Sequence, residues 1–280
     1  MSRLLHAGFA KLGKSKIFYC GMAVMFFYSM IAIFSTYGSK MRYPNEAHPF
    51  TDMTFAGGPM LLIVVAVFIG IFIGTEYSDG TIRNKVIVGH SRWAIYFSNL
   101  IVCTVASISM HLVFIVSELI VGKIVLDESA IRARIILQYA MCSIITVTAL
   151  AAICLLISML VQNKASGAVM VTVLSFALLM GAAMINNKLS APKYFESYAY
   201  MDDEGKIHEE PRTRNVNYLT GTKRKIYEFL WDFLPSCQFL QIGEQGMERK
   251  DFGRLPLYAL FLVVITTSCG MIVFCRKDLK

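Results

Sequence analysis

Six long stretches without a charged side chain constrain this chain more than any other feature of its sequence. They cover residues 17–39, 57–75, 93–117, 135–163, 165–187 and 255–275. Each is about as long as the roughly 20 apolar residues that a helix needs to cross a bilayer, or longer. A charge at the bilayer centre costs about 2.5–3.5 kcal/mol, which explains why charges are absent from these stretches. We therefore expect an all-α membrane protein with six transmembrane helices.

The alternative to a membrane protein is a soluble protein with a large helical core. Charged residues make up 16% of the chain, compared with about 25% in soluble domains. Helices of a soluble core also keep a polar face, whereas the run MLLIVVAVFIGIFIG at residues 60–74 is apolar on every side. Composition and pattern both favour the membrane protein.

The distribution of basic residues predicts the orientation of the spans. The net charge is +8, and both ends of the chain are rich in Lys and Arg, including Lys11, Lys14, Lys16, Arg276 and Lys277. An excess of Lys and Arg in short flanks marks the cytoplasmic side of a membrane protein. Six spans place both termini on the same side, so we expect a multi-pass protein of a bacterial plasma membrane with both termini in the cytoplasm. Basic residues are not interleaved with aromatic ones, so no nucleic-acid partner is expected.

Four parts follow from this pattern. Residues 1–16 are expected to form an amphipathic helix at the inner leaflet, with a frayed basic tail as the alternative. Residues 17–187 hold the first five spans, 188–254 form an extracellular insertion, and 255–280 form the sixth span and a basic tail. Within the insertion, residues 223–234 have the apolar spacing of an amphipathic helix, which Pro235 ends. That helix lies either on the outer membrane surface or in a small extracellular domain.

Motifs for catalysis or cofactor binding are weak. Residues 8–15, GFAKLGKS, match the phosphate-loop pattern, but that loop works only between a buried strand and a helix, whereas a span follows here. The sequence has no HExxH motif, no CxxC pair and no nucleophile elbow. We expect no catalytic residue, no metal and no cofactor in this chain.

Polar and small residues inside the spans have two interpretations. Asn99, His111 and Glu118 lie on or at the end of the third span, where they make either interhelical hydrogen bonds or a functional site. Gly70 and Gly74 form a GxxxG pattern, which predicts close packing of two helices.

The segment 76–92 lies between the second and third spans and is longer than a simple connector needs to be. Ser78 or Asp79 is expected to cap a short helix over residues 81–88, and Gly89 to end it. This helix combines an apolar group with basic neighbours, which favours a docking element for another protein. A simple connector is the alternative.

The same segment resembles a known family. Residues 76–85, EYSDGTIRNK, followed by residues 89–92, GHSR, resemble the segment after the second span of type 2 ABC exporter permeases. The six-span layout, the amphipathic N-terminal helix, the insertion before the last span and the Leu234-Pro235 segment are similar as well.

The resemblance implies a permease subunit that forms a translocation pathway with a second permease, identical or homologous. Two separate cytoplasmic ABC ATPase subunits would bind ATP and Mg. The coupling helix in segment 76–92 would contact the ATPase through Glu76, Gly80, Thr81, Ile82, Arg83, Lys85, Val86 and Ile87. Spans rich in Met, Phe, Ser and Thr suggest export of an amphipathic substrate such as a peptide antibiotic, a drug or a lipid-like molecule. A non-transporting partner or sensor subunit and a membrane-embedded enzyme remain as alternatives.

Overall fold

A computed structural model describes residues 1–43, 54–126, 133–161, 163–201, 207–244 and 253–277. In chain order the helices are α1 (Ser2–Gly13), α2 (Lys16–Arg42), α3 (Gly58–Ser78), α4 (Thr81–Ile87), α5 (Arg92–Ser117), α6 (Lys123–Leu126), α7 (Ala133–Leu160), α8 (Lys164–Ser190), α9 (Gly221–Phe233), α10 (Pro235–Glu244) and α11 (Arg254–Arg276).

Six of the described helices are long and apolar enough to cross a membrane, as the charge-free stretches predict. They are α2, α3, α5 with its continuation, α7, α8 and α11. Helices α3, α5 and α7 form the interior of the bundle, and α2, α8 and α11 are far more exposed. A helix that is apolar on all sides suits either place, because lipid and protein interior are equally apolar.

The third span extends beyond its charge-free stretch. A π-helical turn at Glu118–Gly122 continues α5 into α6, so that the candidate span runs over Arg92–Val125. Glu118 therefore lies inside the helical span, where its side chain is fully buried.

The Gly70–Gly74 pair lies where α3 crosses α8. A Cβ atom at Gly70 would lie 2.7 Å from the Cα of Ala168, and one at Gly74 would lie 2.8 Å from the Cα of Lys164. Real Cβ atoms do not approach backbone this closely, so only glycine permits the crossing. The predicted packing role of the pair is confirmed.

The insertion before the last span contains strands that the sequence analysis did not predict. Strands β1 (Tyr194–Phe195) and β4 (Thr213–Arg214) pair antiparallel, as do β2 (Tyr198–Met201) and β3 (Ile207–Glu210). Tyr194 lies opposite Arg214 and Tyr198 lies opposite Glu210, so both ribbons keep the same register, with the unpaired residues 196–197 and 211–212 between them. Both ribbons are therefore formed by the same two chain segments, 194–201 and 207–214.

Helix α9 is the predicted amphipathic helix, and it packs on the membrane helices. Trp231 is buried in a cluster with Ala182 and Ile185 of α8. On its other side the rings of Phe229 and Phe233 contact Tyr258 of α11, with ring centroids 5.9 and 6.2 Å away. Its apolar residues thus extend the bundle.

Helix α10 begins directly after α9, because Pro235 ends one helix and suits the first turn of the next. It closes the end of the bundle opposite α4. The Gln238 side chain is fully buried, accepts a hydrogen bond from Thr146 Oγ1 at 2.9 Å and donates to the Leu255 carbonyl at 3.1 Å. These bonds join α10 to α7 and α11.

Candidate functional site

Backbone conformation at two glycines sets the length and position of α4. Gly80 has φ +65° and Gly89 has φ +94°, left-handed values that favour glycine. Gly80 occupies the N-cap position without a side-chain cap, and the Thr81 hydroxyl donates to the Glu76 carbonyl at 2.8 Å. The predicted cap by Ser78 or Asp79 is therefore wrong, and α4 ends at Ile87, one residue earlier than predicted.

The carboxylate of Glu76 is buried and is held by three other side chains. Lys85 Nζ lies 3.0 Å from each of its oxygens, and Asn99 Nδ2 donates to Oε2 at 3.1 Å. Lys11 Nζ lies 3.5 Å from Oε1. Since these residues belong to α1, α3, α4 and α5, one carboxylate connects four helices. We call Lys11, Glu76, Lys85 and Asn99 the Glu76 cluster.

Lys11 places α1 against the bundle. Its ammonium donates to the Phe72 carbonyl at 3.3 Å and lies 4.5 Å from the centre of the Phe72 ring. Burial lowers the pKa of Lys11, and the nearby Glu76 carboxylate opposes that shift. Leu4 and Leu12 are buried on the same helix. The predicted N-terminal helix thus exists, with its apolar face packed on protein.

The phosphate-loop pattern at residues 8–15 is helical. It runs through the end of α1 to Ser15, the N-cap of α2, whose hydroxyl accepts from the Phe18 amide at 3.4 Å. A Cβ atom at Gly8 would lie 2.8 Å from Val102 Cγ2, so this glycine serves close packing on α5. Backbone amides committed to a helix do not form a phosphate cradle.

A second group of bonds joins the spans near α4. Arg92 donates to the carbonyls of Phe274, Cys275 and Lys277 at the end of α11. Lys277 Nζ donates to the Leu160 carbonyl at the end of α7, and the Tyr77 hydroxyl donates to the Met159 carbonyl at 2.8 Å. Cations at helix C-termini donate to free carbonyls and interact favourably with the negative end of the helix dipole.

The exposed face of α4 differs from the predicted docking face. Ile82 is 1% exposed and Val86 packs against the core, because this i, i+4 pair faces α3 and α5. Ile87 is 71% exposed and Val88 is 77% exposed, with Arg83 also at the surface. In this conformation Glu76 and Ile82 lie inside the protein, and the surface open to a partner includes Arg83, Asn84, Ile87 and Val88.

The three intramembrane polar residues do not form one site. Asn99 belongs to the Glu76 cluster, whereas His111 and Glu118 lie toward the other end of α5. Both are buried, and neither has a hydrogen-bond partner among the residues that the structure describes. The His111 ring contacts the Phe239 ring, with centroids 6.3 Å apart. No bond joins the two, so no acid–base pair is formed.

Sequence reasoning did not find the roles of Lys11, Arg92 and Lys277. The available signal was Glu76 itself, a carboxylate near the end of an otherwise uncharged apolar helix, which requires a cationic partner. Which of the many nearby lysines would supply it depends on helix packing and not on spacing in the sequence.

A family model described as ABC-2 family transporter protein matches residues 4–181, well over half of the chain. The match begins in α1, ends in α8 and contains the whole Glu76 cluster. No curated protein has significant similarity to the chain.

Proposed function

This chain belongs to the ABC-2 transporter family and is a permease, a non-catalytic membrane subunit, and from this premise we propose that α4 couples it to ABC ATPase subunits. Permeases of this family generally pair with ABC ATPases, which bind the nucleotide. In our proposal two ATPases bind ATP and Mg, and a second permease, identical or homologous, completes the translocation pathway. The proposed activity is ATP-driven export.

The Glu76 cluster is the observation that supports this coupling role. A partner that pushes on α4 acts directly on Lys85, and the buried carboxylate of Glu76 passes the displacement to α3. Asn99 and Lys11 pass it to α5 and α1. Removing one member of a buried ion pair costs about 3–5 kcal/mol, so the four helices are expected to move together.

The surface of α4 suggests what the partner offers. Ile87 and Val88 are exposed apolar side chains beside the exposed Arg83. A complementary ATPase surface would have an apolar groove with acidic residues on its rim. Neighbouring Trp93 is 53% exposed at the start of the third span, a position that suits the membrane interface.

Orientation and substrate complete the proposal. Lys14, Lys16, Arg83, Lys164 and Arg276 all lie at the α4 end of the bundle, and such an excess of Lys and Arg favours the cytoplasmic side. The insertion would then be extracellular.

The exposed side of α8 carries a series of Met and Phe side chains, namely Met170, Phe176, Met180 and Met184. Flexible Met and aromatic surfaces suit an amphipathic substrate such as a peptide antibiotic, a drug or a lipid-like molecule.

The test is co-purification with candidate ABC ATPases from the same genome. We expect Ile87→Asp and Val88→Asp to abolish co-purification and permease-dependent stimulation of ATP hydrolysis. Val216→Asp is the matched control, because Val216 is 95% exposed in the insertion, at the other end of the bundle. ATPase binding that is unchanged in both α4 variants would contradict the docking surface. Transport of a strongly ionic substrate would contradict the substrate class.

A further inference from the structure

A groove between α2 and α3 is left open by the packing of the spans. It has a volume of about 320 Å³ and is lined by apolar side chains, among them Ile17, Val24, Val64, Val67 and Ile71. Gly21 also lines it, and Met110 of α5 packs directly against this glycine, since a Cβ atom added to Gly21 would lie 2.7 Å from Met110 Cε. The floor of the groove is therefore protein, and its open side faces the membrane.

The dimensions of the groove fit a segment of an extended hydrocarbon chain. Ile17 and Val24 are seven residues apart on α2, which corresponds to about 10 Å along the helix axis. The groove thus runs lengthwise along the helix pair, in the direction that an acyl chain takes in a bilayer. Cys20 also lines it and is exposed, which makes its thiol a reporter of occupancy.

Positive charge lies at one end of the groove. Lys16 directly precedes Ile17, and Lys14 is two residues earlier; both are exposed, and no salt bridge of either is found among the described residues. The buried carboxylate of Glu76, at the same end of the bundle, is already paired with Lys85 and Lys11. An apolar groove that begins one residue after an exposed lysine, with a second lysine close by in the chain, is complementary to a lipid with a negative headgroup.

We propose that this groove binds one acyl chain of an anionic phospholipid, whose phosphate lies at Lys14 and Lys16. A neutral lipid would fill the groove but leave both lysines unmatched. The proposal is independent of ATPase coupling, because it uses no residue of the Glu76 cluster or of the α4 surface.

The first experiment compares lipid retention by native mass spectrometry of the purified full chain. Phosphatidylglycerol and phosphatidylcholine with identical acyl chains are the probes. We expect a preference for phosphatidylglycerol, and we expect Lys14→Ala/Lys16→Ala to reduce it by up to about 30-fold, or about fivefold for each lysine. Lys223→Ala/Lys225→Ala is the matched control, because it removes the same charge from exposed positions of α9. Equal retention of both lipids, or equal effects of both double variants, would overturn the proposal.

The second experiment uses the groove itself. Val67→Trp is expected to fill the groove and reduce phosphatidylglycerol retention, whereas Val173→Trp on the exposed side of α8 should leave it unchanged.

Alkylation of Cys20 in nanodiscs, resolved by peptide mass spectrometry, should be slower with phosphatidylglycerol than with phosphatidylcholine, with Cys269 and Cys275 as internal references. Should Val67→Trp not fold, the lysine variants and Cys20 labelling still decide the question. Oxidation that links two chains through Cys20 would instead assign the groove to a second copy and overturn the lipid proposal.

Discussion

Lys85 Nζ lies 3.0 Å from both carboxylate oxygens of Glu76, on the opposite side of the turn at Gly80. The last turn of α3 and the last turn of α4 are therefore joined by an ion pair that is almost completely buried. A short helix such as α4 is not stable by its own backbone bonds. Its position depends on this pair and on the packing of Ile82.

The Glu76–Lys85 pair predicts a specific loss of stability. Lys85→Met keeps the length of the side chain and removes its charge, which leaves Glu76 with only the more distant Lys11 and with Asn99. We expect the free energy of unfolding in mixed micelles to fall by about 2 kcal/mol, less than for a fully buried pair because Lys11 remains. Arg83→Met is the control on the same helix, since Arg83 is exposed. Equal losses in both variants would contradict a structural role for the pair.

Substituting Gly80 is expected to change stability through backbone conformation alone. A Cβ atom there would have nothing within 4 Å, so Gly80→Ala is strained only by the positive φ of 65°. We expect it to cost about 1 kcal/mol, measured by the same unfolding assay. Gly13→Ala is the control, because Gly13 also has open space around it and lacks a positive φ. A gain of stability at both positions would show that the turn does not need a left-handed residue.

Gly70 predicts a steric effect at the crossing of α3 and α8. Its added Cβ would lie 2.7 Å from the Cα of Ala168, and backbone cannot move aside as a side chain can. We expect Gly70→Ala to destabilise the protein by about 1–3 kcal/mol. Gly181→Ala on α8 meets nothing within 4 Å and should be neutral or slightly stabilising. The comparison is read from thermal unfolding, and a neutral Gly70→Ala would mean that the helices are further apart.

We expect opposite effects on stability from substituting two buried polar residues of the same span, Glu118 and Asn99. Glu118 is fully buried with no hydrogen-bond partner among the described residues, so Glu118→Met should leave stability unchanged or raise it by about 1 kcal/mol. Asn99→Ala removes a donor to Glu76 and should lower stability by about 1 kcal/mol. Unfolding of both variants in the same detergent tests the contrast, which fails if Glu118→Met is the more damaging.

We expect the thiol of Cys237 to be alkylated slowly and at a rate that depends on pH. The residue is fully buried in α10, and burial raises the pKa of its thiol to about 12. Because the thiolate is the nucleophile, alkylation by N-ethylmaleimide should be slow at neutral pH and rise about tenfold per pH unit below that pKa. The exposed Cys275 is the internal reference in peptide mass spectrometry. Modification of Cys237 as fast as Cys275 would mean that α10 opens readily.

Local features were accessible to sequence reasoning. The spans follow from the absence of charge, and the Gly70–Gly74 crossing follows from a local pattern of small residues. The helix after Gly80 was also predicted, since its apolar and glycine residues are close together in the chain. The cap of α4 was predicted incorrectly, because Ser78 and Asp79 were the expected type of residue but Gly80 has the required conformation.

Contacts between distant segments were not accessible in this way. Ile82 has the apolar character expected of a docking residue, but α4 folds back and buries it, leaving Ile87 and Val88 exposed. Asn99 was grouped with His111 and Glu118 because they share a span, whereas it bonds to Glu76. The strand pairs formed by residues 194–201 and 207–214 were missed because the strands are short and lie in a segment rich in charge.

The sequence by itself determined that six apolar helices cross a membrane, because the cost of placing a charge in hydrocarbon acts on each residue independently of the rest of the fold. Only the tertiary structure decided that Lys11, Lys85 and Asn99 converge on Glu76. That convergence depends on how α1, α4 and α5 pack around α3, and the packing is set by close contacts at residues such as Gly8 and Ile82. Such contacts join residues far apart in the chain, so no local pattern encodes them.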